Sequence, residues 1–155
     1  MPLSYISLGS NIDGPIAQVR RAIDHLRNYG EVIAVSSLYR TQPWGTQKEQ
    51  PDFINCVVLL DTHYSPQELL LRLKAAEREL GRVPSERWGP RSIDFDMLTY
   101  DNETIDDPDF VLPHPRMRER AFVLVPLAEI DASYEEMRDA LSPNELATVV
   151  AVEAG

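Results

Sequence analysis

The hydrophobic pattern of this chain switches between period 2 and helical spacing in one order: strand, helix, strand, strand, helix, strand. Leu3 to Ser10 alternates, with Ile6 and Leu8 set against Tyr5 and Ser7, and predicts a first strand. Asp13-Gly14-Pro15 supplies a turn and a proline suited to a first helical turn. Ile16, Val19, Ile23 and Leu26 follow at helical spacing, and Gly30 ends the segment. Glu31 to Tyr39, rich in Val, Ile and Ser, predicts a second strand, and Thr41 to Pro51 a long loop of the kind that is often functional. Asp52 to Asp61 is the strongest strand, with Phe53, Asn55, Val57 and Leu59 on one face and Ile54, Cys56, Val58 and Leu60 on the other. Ser65-Pro66-Gln67-Glu68 is a capping box; Leu69, Leu73, Ala76 and Leu80 form the buried stripe behind it, and Gly81 is its stop. A second loop, Arg82 to Arg91, leads into a strand over Ser92 to Tyr100. A turn at Asp101-Asn102-Glu103, a short hairpin to Leu112, a helical run from Arg118 to Ile130 and a weaker acidic helix over Tyr134 to Leu141 complete the pattern.

That order predicts an α+β class: a ferredoxin-like two-layer sandwich, an antiparallel sheet with helices on one face. The 155 residues fit one domain, 1–155, in which 131–155 stands apart as a C-terminal extension. No apolar stretch approaches the ~20 residues needed to cross a bilayer, and the N-terminus carries no basic region followed by an apolar run. The single cysteine, Cys56, excludes an internal disulfide framework. A cytoplasmic enzyme or binding domain is the expectation, with neither a membrane nor an obligate protein partner. The formal net charge of -10 argues against a nucleic-acid partner. Yet 13 of the 15 basic residues are Arg, whose planar fork suits phosphate oxygens, so the positions of the Arg residues matter.

Chemistry concentrates in Ser92-Ile93-Asp94-Phe95-Asp96-Met97. On a strand Ile93, Phe95 and Met97 point one way and Asp94 and Asp96 the other, ~6.6 Å apart at Cα. From there two carboxylates can converge on one ion, or on two ions ~3.5–4 Å apart. Like charges side by side weaken a strand, so the pair is a poor structural choice, although a solvated strand face is the plain alternative. Oxygen-only ligands favour Mg²⁺ or Mn²⁺ over zinc. Just before the pair, Arg82, Arg87, Trp88 and Arg91 stand in a loop bearing Gly89 and Pro90. Such guanidinium groups can neutralise phosphate oxygens while a metal holds the others; an exposed loop with a Trp over the core is the alternative. No GxxxxGK[ST] run occurs, Ser10 and Ser37 lie in no nucleophile elbow, and His25, His63 and His114 make no zinc spacing.

The run Glu86-Arg87-Trp88-Gly89-Pro90-Arg91-Ser92-Ile93-Asp94-Phe95-Asp96 resembles the signature of the 6-hydroxymethyl-7,8-dihydropterin pyrophosphokinase family of folate biosynthesis. Tyr5 to Asn11 looks like that family's N-terminal strand, and Tyr39-Arg40-Thr41 with Pro43 and Gly45 like its pterin loop. Gln50 to Asn55 and Leu112 to Met117, with Arg120, Ala121 and Phe122, are similar to later motifs in the right order. The resemblance implies the ferredoxin-like fold and a reaction. The pterin hydroxymethyl oxygen attacks the β-phosphorus of ATP, pyrophosphate is transferred, and AMP leaves. It implies that Asp94 and Asp96 hold two Mg²⁺ ions, which clamp the triphosphate. Arg82 and Arg91 match loop arginines that stabilise developing charge, and Trp88 the loop aromatic that closes over the site. Asn55 matches the side chain that reads the pterin edge, Phe53 and Phe122 the aromatics that sandwich the ring, and Thr41, Pro43 and Trp44 the loop whose backbone faces it. His114 and Arg120 match phosphate- or substrate-contacting residues, and Glu77 and Met97 lie where the family lines its nucleotide pocket. A short loop at Val83 to Glu86 and the bulk of Trp44 depart from the family pattern. Two other classes compete: a silent ligand-sensing domain, which has no need of paired carboxylates beside an Arg-rich loop, and a two-metal phosphohydrolase, which normally carries more His or carboxylate ligands.

Overall fold

The computed structural model of the protein describes residues 2–11, 14–41, 52–80 and 93–152. Its main sheet is built from β1 (Leu3–Ser10), β2 (Glu31–Val35), β3 (Tyr39–Thr41), β4 (Phe53–Asp61), β5 (Asp94–Met97) and β8 (Val149–Ala151). The strand order is β5-β1-β4-β3-β8, with β2 also paired to β4, and every pairing is antiparallel. Helix α1 (Pro15–Leu26) crosses from β1 to β2, and α2 (Pro66–Leu80) from β4 to β5. Each crossover steps over one strand, which is the ferredoxin-like arrangement that the strand and helix order predicts. A small hairpin, β6 (Ile105–Asp107) and β7 (Phe110–Leu112), stands beside it.

Strand parity sorts the core. Ile6, Leu8, Ile54, Cys56, Val58, Leu60, Phe95 and Met97 face α1 and α2, meeting Val19, Ala22 and Leu26 from the first helix and Leu69, Leu73 and Ala76 from the second. Each large aliphatic side chain buried this way contributes about 1.5–3 kcal/mol. The capping box starts α2: Ser65 Oγ accepts from the Glu68 N–H at 3.2 Å and donates to the Glu68 carboxylate at 3.1 Å. Cys56 is fully buried, and burial pushes its thiol up to about 12, so it stays protonated.

The expectation of helices on one face describes α1 and α2. Helix α3 (Ala121–Ile130) lies on the opposite face, where Val123, Leu124 and Leu127 pack over Val57 and Leu98. Its sequence, Ala-Phe-Val-Leu-Val-Pro-Leu-Ala-Glu-Ile, is apolar nearly all round, so it must be covered on several sides. Two short helices, α4 (Glu135–Asp139) and α5 (Pro143–Leu146), follow it.

The predicted second strand, Glu31 to Tyr39, is two strands. Register slips between Val32 and Ala34, and at Ser36 the exchange with β4 is half side chain: the Ser36 N–H donates to the Val57 carbonyl at 2.9 Å, while Ser36 Oγ accepts from the Val57 N–H at 2.9 Å and donates to the Ser37 carbonyl at 2.8 Å. β3 then restarts against the first residues of β4. The segment after residue 131 packs on the same sheet, because β8 pairs with β3, Thr41 opposite Val149.

Asp131, just past α3, ties that helix to β1. It accepts from Tyr5 Oη at 2.8 Å and from Ser133 N and Oγ at 3.0 and 2.6 Å. Burial alone would raise its pKa, but these bonds from Ser133 and Tyr5 win and hold it below the ordinary 3.8. A carboxyl with a depressed folded pKa contributes stability that is present above its unfolded pKa and lost as pH falls through the folded one. Asp131→Asn should therefore be less stable than the parent at pH 7, and the difference should shrink below pH ~3.8. Urea melts of both proteins across pH 2.5–7 test this; a gap independent of pH would show that the carboxylate charge is not what stabilises.

Candidate functional site

On the sheet face opposite α1 and α2, α3 packs over Val57 and Leu98. On that face, directly paired residues line up in rows across the strands. One row runs Tyr39, Asn55, Gly9, Asp94; the next runs Val57, Ser7, Asp96; on the other side Thr41 stands opposite Phe53. The row through Asn55 and Asp94 lies two residues along β4 from Val57, the residue that α3 packs on. The structure thus brings Thr41, Phe53, Asn55, Asp94 and Asp96 to one face, as strand parity predicts.

Asn55 is only 5% exposed and is held from the side: its Nδ2 donates to Thr41 Oγ1 at 2.9 Å. That bond turns its oxygen toward Gly9, where a Cβ would come within 2.6 Å of Oδ1. Glycine inside a strand commonly marks a place where another group approaches closely. Here the group that approaches is the Asn55 amide oxygen, and Asn55 and Asp94 stand on either side of Gly9, two strand spacings or ~10 Å apart.

Asp94 and Asp96 are half-buried, on the far side of β1 from Asn55. No group of three or more His, Cys, Asp or Glu gathers to hold a metal among the described residues. A pair of carboxylates suits a hard cation that completes its shell with water and phosphate oxygens, which is how Mg²⁺ is usually held. It does not suit a closed zinc site.

Beyond Asp96 stand His114 and Arg120. The His114 N–H donates to the Leu98 carbonyl at 2.8 Å, and Nδ1 accepts from the Arg116 N–H at 3.2 Å, which leaves the ring proton on Nε2. Burial lowers the His114 pKa; Asp96 opposes this by raising it, while Arg120 and Arg116 lower it further. The imidazole is therefore neutral at pH 7, a donor through Nε2 beside the Asp96 carboxylate. The Arg120 guanidinium lies 5.5 Å from the centroid of the Phe122 ring, at the start of α3. Arg116, Glu119, Arg120 and Phe122 line a cleft of about 190 Å³ there.

Glu77 and Met97 do not join that face. Met97 is 4% exposed, with its side chain in the α1/α2 core. Glu77, 11% exposed at its side chain, reaches from α2 to the outer edge of β5, where it accepts the Phe95 N–H at 2.8 Å and lies 3.6 Å from Lys74 Nζ. Peptide groups alternate along a strand, so those of Met97 point to the same edge. The carboxylate thus fixes the residue between the two aspartates. Pro43, Trp44, Arg82, Arg87, Trp88 and Arg91 lie outside the described residues.

Sequence reasoning passed over Gly9, which stood in a strand motif without a role, although a glycine within an alternating strand was the available signal. It also passed over Glu129 of α3, whose partners lie some 90 positions away and leave no periodic trace.

Comparison with known proteins bears on what such a face does. The sequence model of the family described as 7,8-dihydro-6-hydroxymethylpterin-pyrophosphokinase matches residues 5–132. A 2-amino-4-hydroxy-6-hydroxymethyldihydropteridine pyrophosphokinase of Methylorubrum extorquens is 45% identical over 148 residues, covering 92% of this chain and 93% of its own. One from Haemophilus influenzae is 43% identical over 133 residues, 84% of this chain and 82% of its own. Among solved structures, Plasmodium falciparum HPPK-DHPS with pteroate aligns with a TM-score of 0.65 at 16% identity, over 83% of this chain and 38% of that one. An HPPK-DHPS in complex with substrates aligns with a TM-score of 0.71 at 13% identity, over 90% of this chain and 43% of that one. At such identities the likeness is one of fold, and this chain spans less than half the length of either solved protein.

Proposed function

The chain belongs to the 7,8-dihydro-6-hydroxymethylpterin-pyrophosphokinase family, and from that premise we propose that it transfers pyrophosphate from ATP to 6-hydroxymethyl-7,8-dihydropterin, with Mg²⁺, in folate biosynthesis. The hydroxymethyl oxygen bonds to the β-phosphorus, the bond from that phosphorus to the bridging α–β oxygen breaks, AMP leaves with that oxygen, and the hydroxyl proton passes to solvent.

The observation that carries this reading is the shared row. Asn55, oriented by Thr41, and Asp94 flank Gly9 on one face, a separation on the scale of a two-ring heterocycle with a one-carbon arm. We assign the pterin edge to Asn55 and its ring faces to Phe53 and Phe122, flat apolar groups suited to stacking. Thr41, Pro43 and Trp44 present backbone to the same ring. Asp94 and Asp96 would hold the two Mg²⁺ ions. When bound, these supply positive charge to the triphosphate oxygens and favour the deprotonated hydroxyl. His114, as a neutral Nε2 donor, and Arg120 contact phosphate or substrate; Arg82 and Arg91 offset charge that develops on transfer, with Trp88 excluding water. Glu77 and the Met97 backbone belong to the nucleotide side, along the β5 edge. The five residues Pro43, Trp44, Arg82, Trp88 and Arg91 enter this reading on sequence alone.

The reading takes 1–155 as one domain and the cytoplasm as its compartment; no helix among the described residues is long and apolar enough to cross a membrane. It requires neither a nucleic acid nor a protein partner. Incubation with ATP, Mg²⁺ and the reduced pterin should give AMP and the pterin pyrophosphate in equal amounts, separated by chromatography. ADP or free phosphate as the nucleotide-derived product would overturn it.

A further inference from the structure

Glu129 lies on the last turn of α3, well along the helix from Phe122. At a rise of 1.5 Å per residue, the seven positions between them span about 10 Å. Its carboxylate accepts from the Ser37 N–H at 3.0 and 3.1 Å, from Ser37 Oγ at 2.9 Å, and from Tyr39 Oη. All three donors sit where the chain enters β3. Tyr39 is the directly paired neighbour of Asn55 on the same face, and Thr41, two residues on, is the residue that orients the Asn55 amide.

From this juxtaposition we infer that Glu129 is a positioning residue for the pterin site: it ties the helix that begins with Phe122 to the strand that aims Asn55. The inference rests on the functional reading above. β3 is three residues long, paired to β4 and β8, and residues 36–38 before it belong to no strand. Glu129 supplies what the ladder lacks, a charged acceptor that takes a backbone donor and two hydroxyl donors at once. On the other side of β4, Asp131 binds Tyr5 of β1, so the end of α3 is fastened to both neighbours of the strand it covers. Burial and the bond to Glu129 push the Tyr39 hydroxyl up to about 12, so it remains a donor at neutral pH. Glu129 itself approaches neither Asp94 nor Asp96 in any bond of the described residues, and its effect should reach the pterin and spare the nucleotide.

The test compares Glu129→Ala, Glu129→Gln and Tyr39→Phe with the parent. Pterin binding is measured by calorimetry with 6-hydroxymethyl-7,8-dihydropterin in the presence of a non-hydrolysable ATP analogue, and binding of the analogue is measured alone. Glu129→Ala should weaken pterin binding about tenfold, the lower range for loss of an outer-shell partner. The analogue should bind within about twofold of the parent, and turnover at saturating pterin should change little. Glu129→Gln, which keeps an acceptor for the Ser37 N–H, should recover most of the loss, and Tyr39→Phe, which removes one hydroxyl and no backbone contact, should show a smaller loss of the same kind. If the alanine variant does not fold, the Tyr39→Phe and Glu129→Gln results decide the matter by the same split. Equal pterin binding in parent and variants, or equal weakening of pterin and analogue, overturns the assignment. A parent that binds the analogue but no pterin overturns the functional reading instead.

Discussion

Asp94→Asn and Asp96→Asn should each lower turnover by at least about a hundredfold, the upper range for loss of a metal's outer-shell partner, while the protein remains folded. The two carboxylates share a sheet face, one beside Gly9 and the other beside Ser7, and no third described carboxylate or imidazole gathers with them into a metal-holding group. A cation there depends on both. Asparagine keeps the volume and one oxygen but removes the charge that competes with water for Mg²⁺. Turnover should therefore recover in part as Mg²⁺ is raised, and circular dichroism should match the parent. Near-parental turnover at millimolar Mg²⁺ in either variant would sink the metal assignment.

Asn55→Ala should weaken pterin binding by about 5- to 150-fold, corresponding to 1–3 kcal/mol for a buried polar edge left without its partner. The amide donates to Thr41 on one side and presents its oxygen over Gly9 on the other, so removing it takes away the polar group between β3 and β1. Nucleotide binding should stay within about twofold, since Asp94 lies ~10 Å away across the sheet. Gly9→Ala offers a second route to the same result. Its Cβ would stand 2.6 Å from Asn55 Oδ1, and the end of that side chain can turn aside without moving the backbone. The fold should tolerate the change while the oxygen loses its aim. The double variant should be little worse than either single one, because both remove one interaction. Losses that add fully, or pterin and nucleotide weakening together, would refute the assignment of the pterin edge to Asn55.

Strict alternation explains why so much of this face was legible beforehand. Asp94 with Asp96, and Phe53 with Asn55, share a side because period 2 permits nothing else once the strands exist. The position of α3 had no such signature. A helix apolar all round lacks a stripe to orient it, so nothing in Ala121 to Ile130 indicates which side of the sheet it will cover. β8 was missed for a related reason: Val149 to Ala151 is too short to show a period, and its partner, β3, precedes it by more than a hundred residues. Periodicity also placed Met97 correctly on the apolar side of its strand, which is why its side chain cannot accompany the aspartates. What it could not supply was the polar wiring, Thr41 to Asn55 and Glu129 to Tyr39, because such pairs depend on the finished topology.

The contact between Glu77 and the Phe95 amide has a consequence for how this protein behaves in concentrated solution. The border of a sheet is adhesive: each bare amide is an invitation to a strand from another molecule. At the β5 border the described amide between the aspartates is already taken, by a carboxylate whose charge would also repel an incoming carbonyl. At the opposite border the register slip in β2 spoils the match to a straight guest strand, and β8 offers only three residues. Glu77→Ala should thus promote association through β5, visible as concentration-dependent light scattering, even though the residue lies on the surface of no partner. Sheet extension is discouraged at each margin by a different device, and among the described residues the one at β5 is the Glu77 side chain.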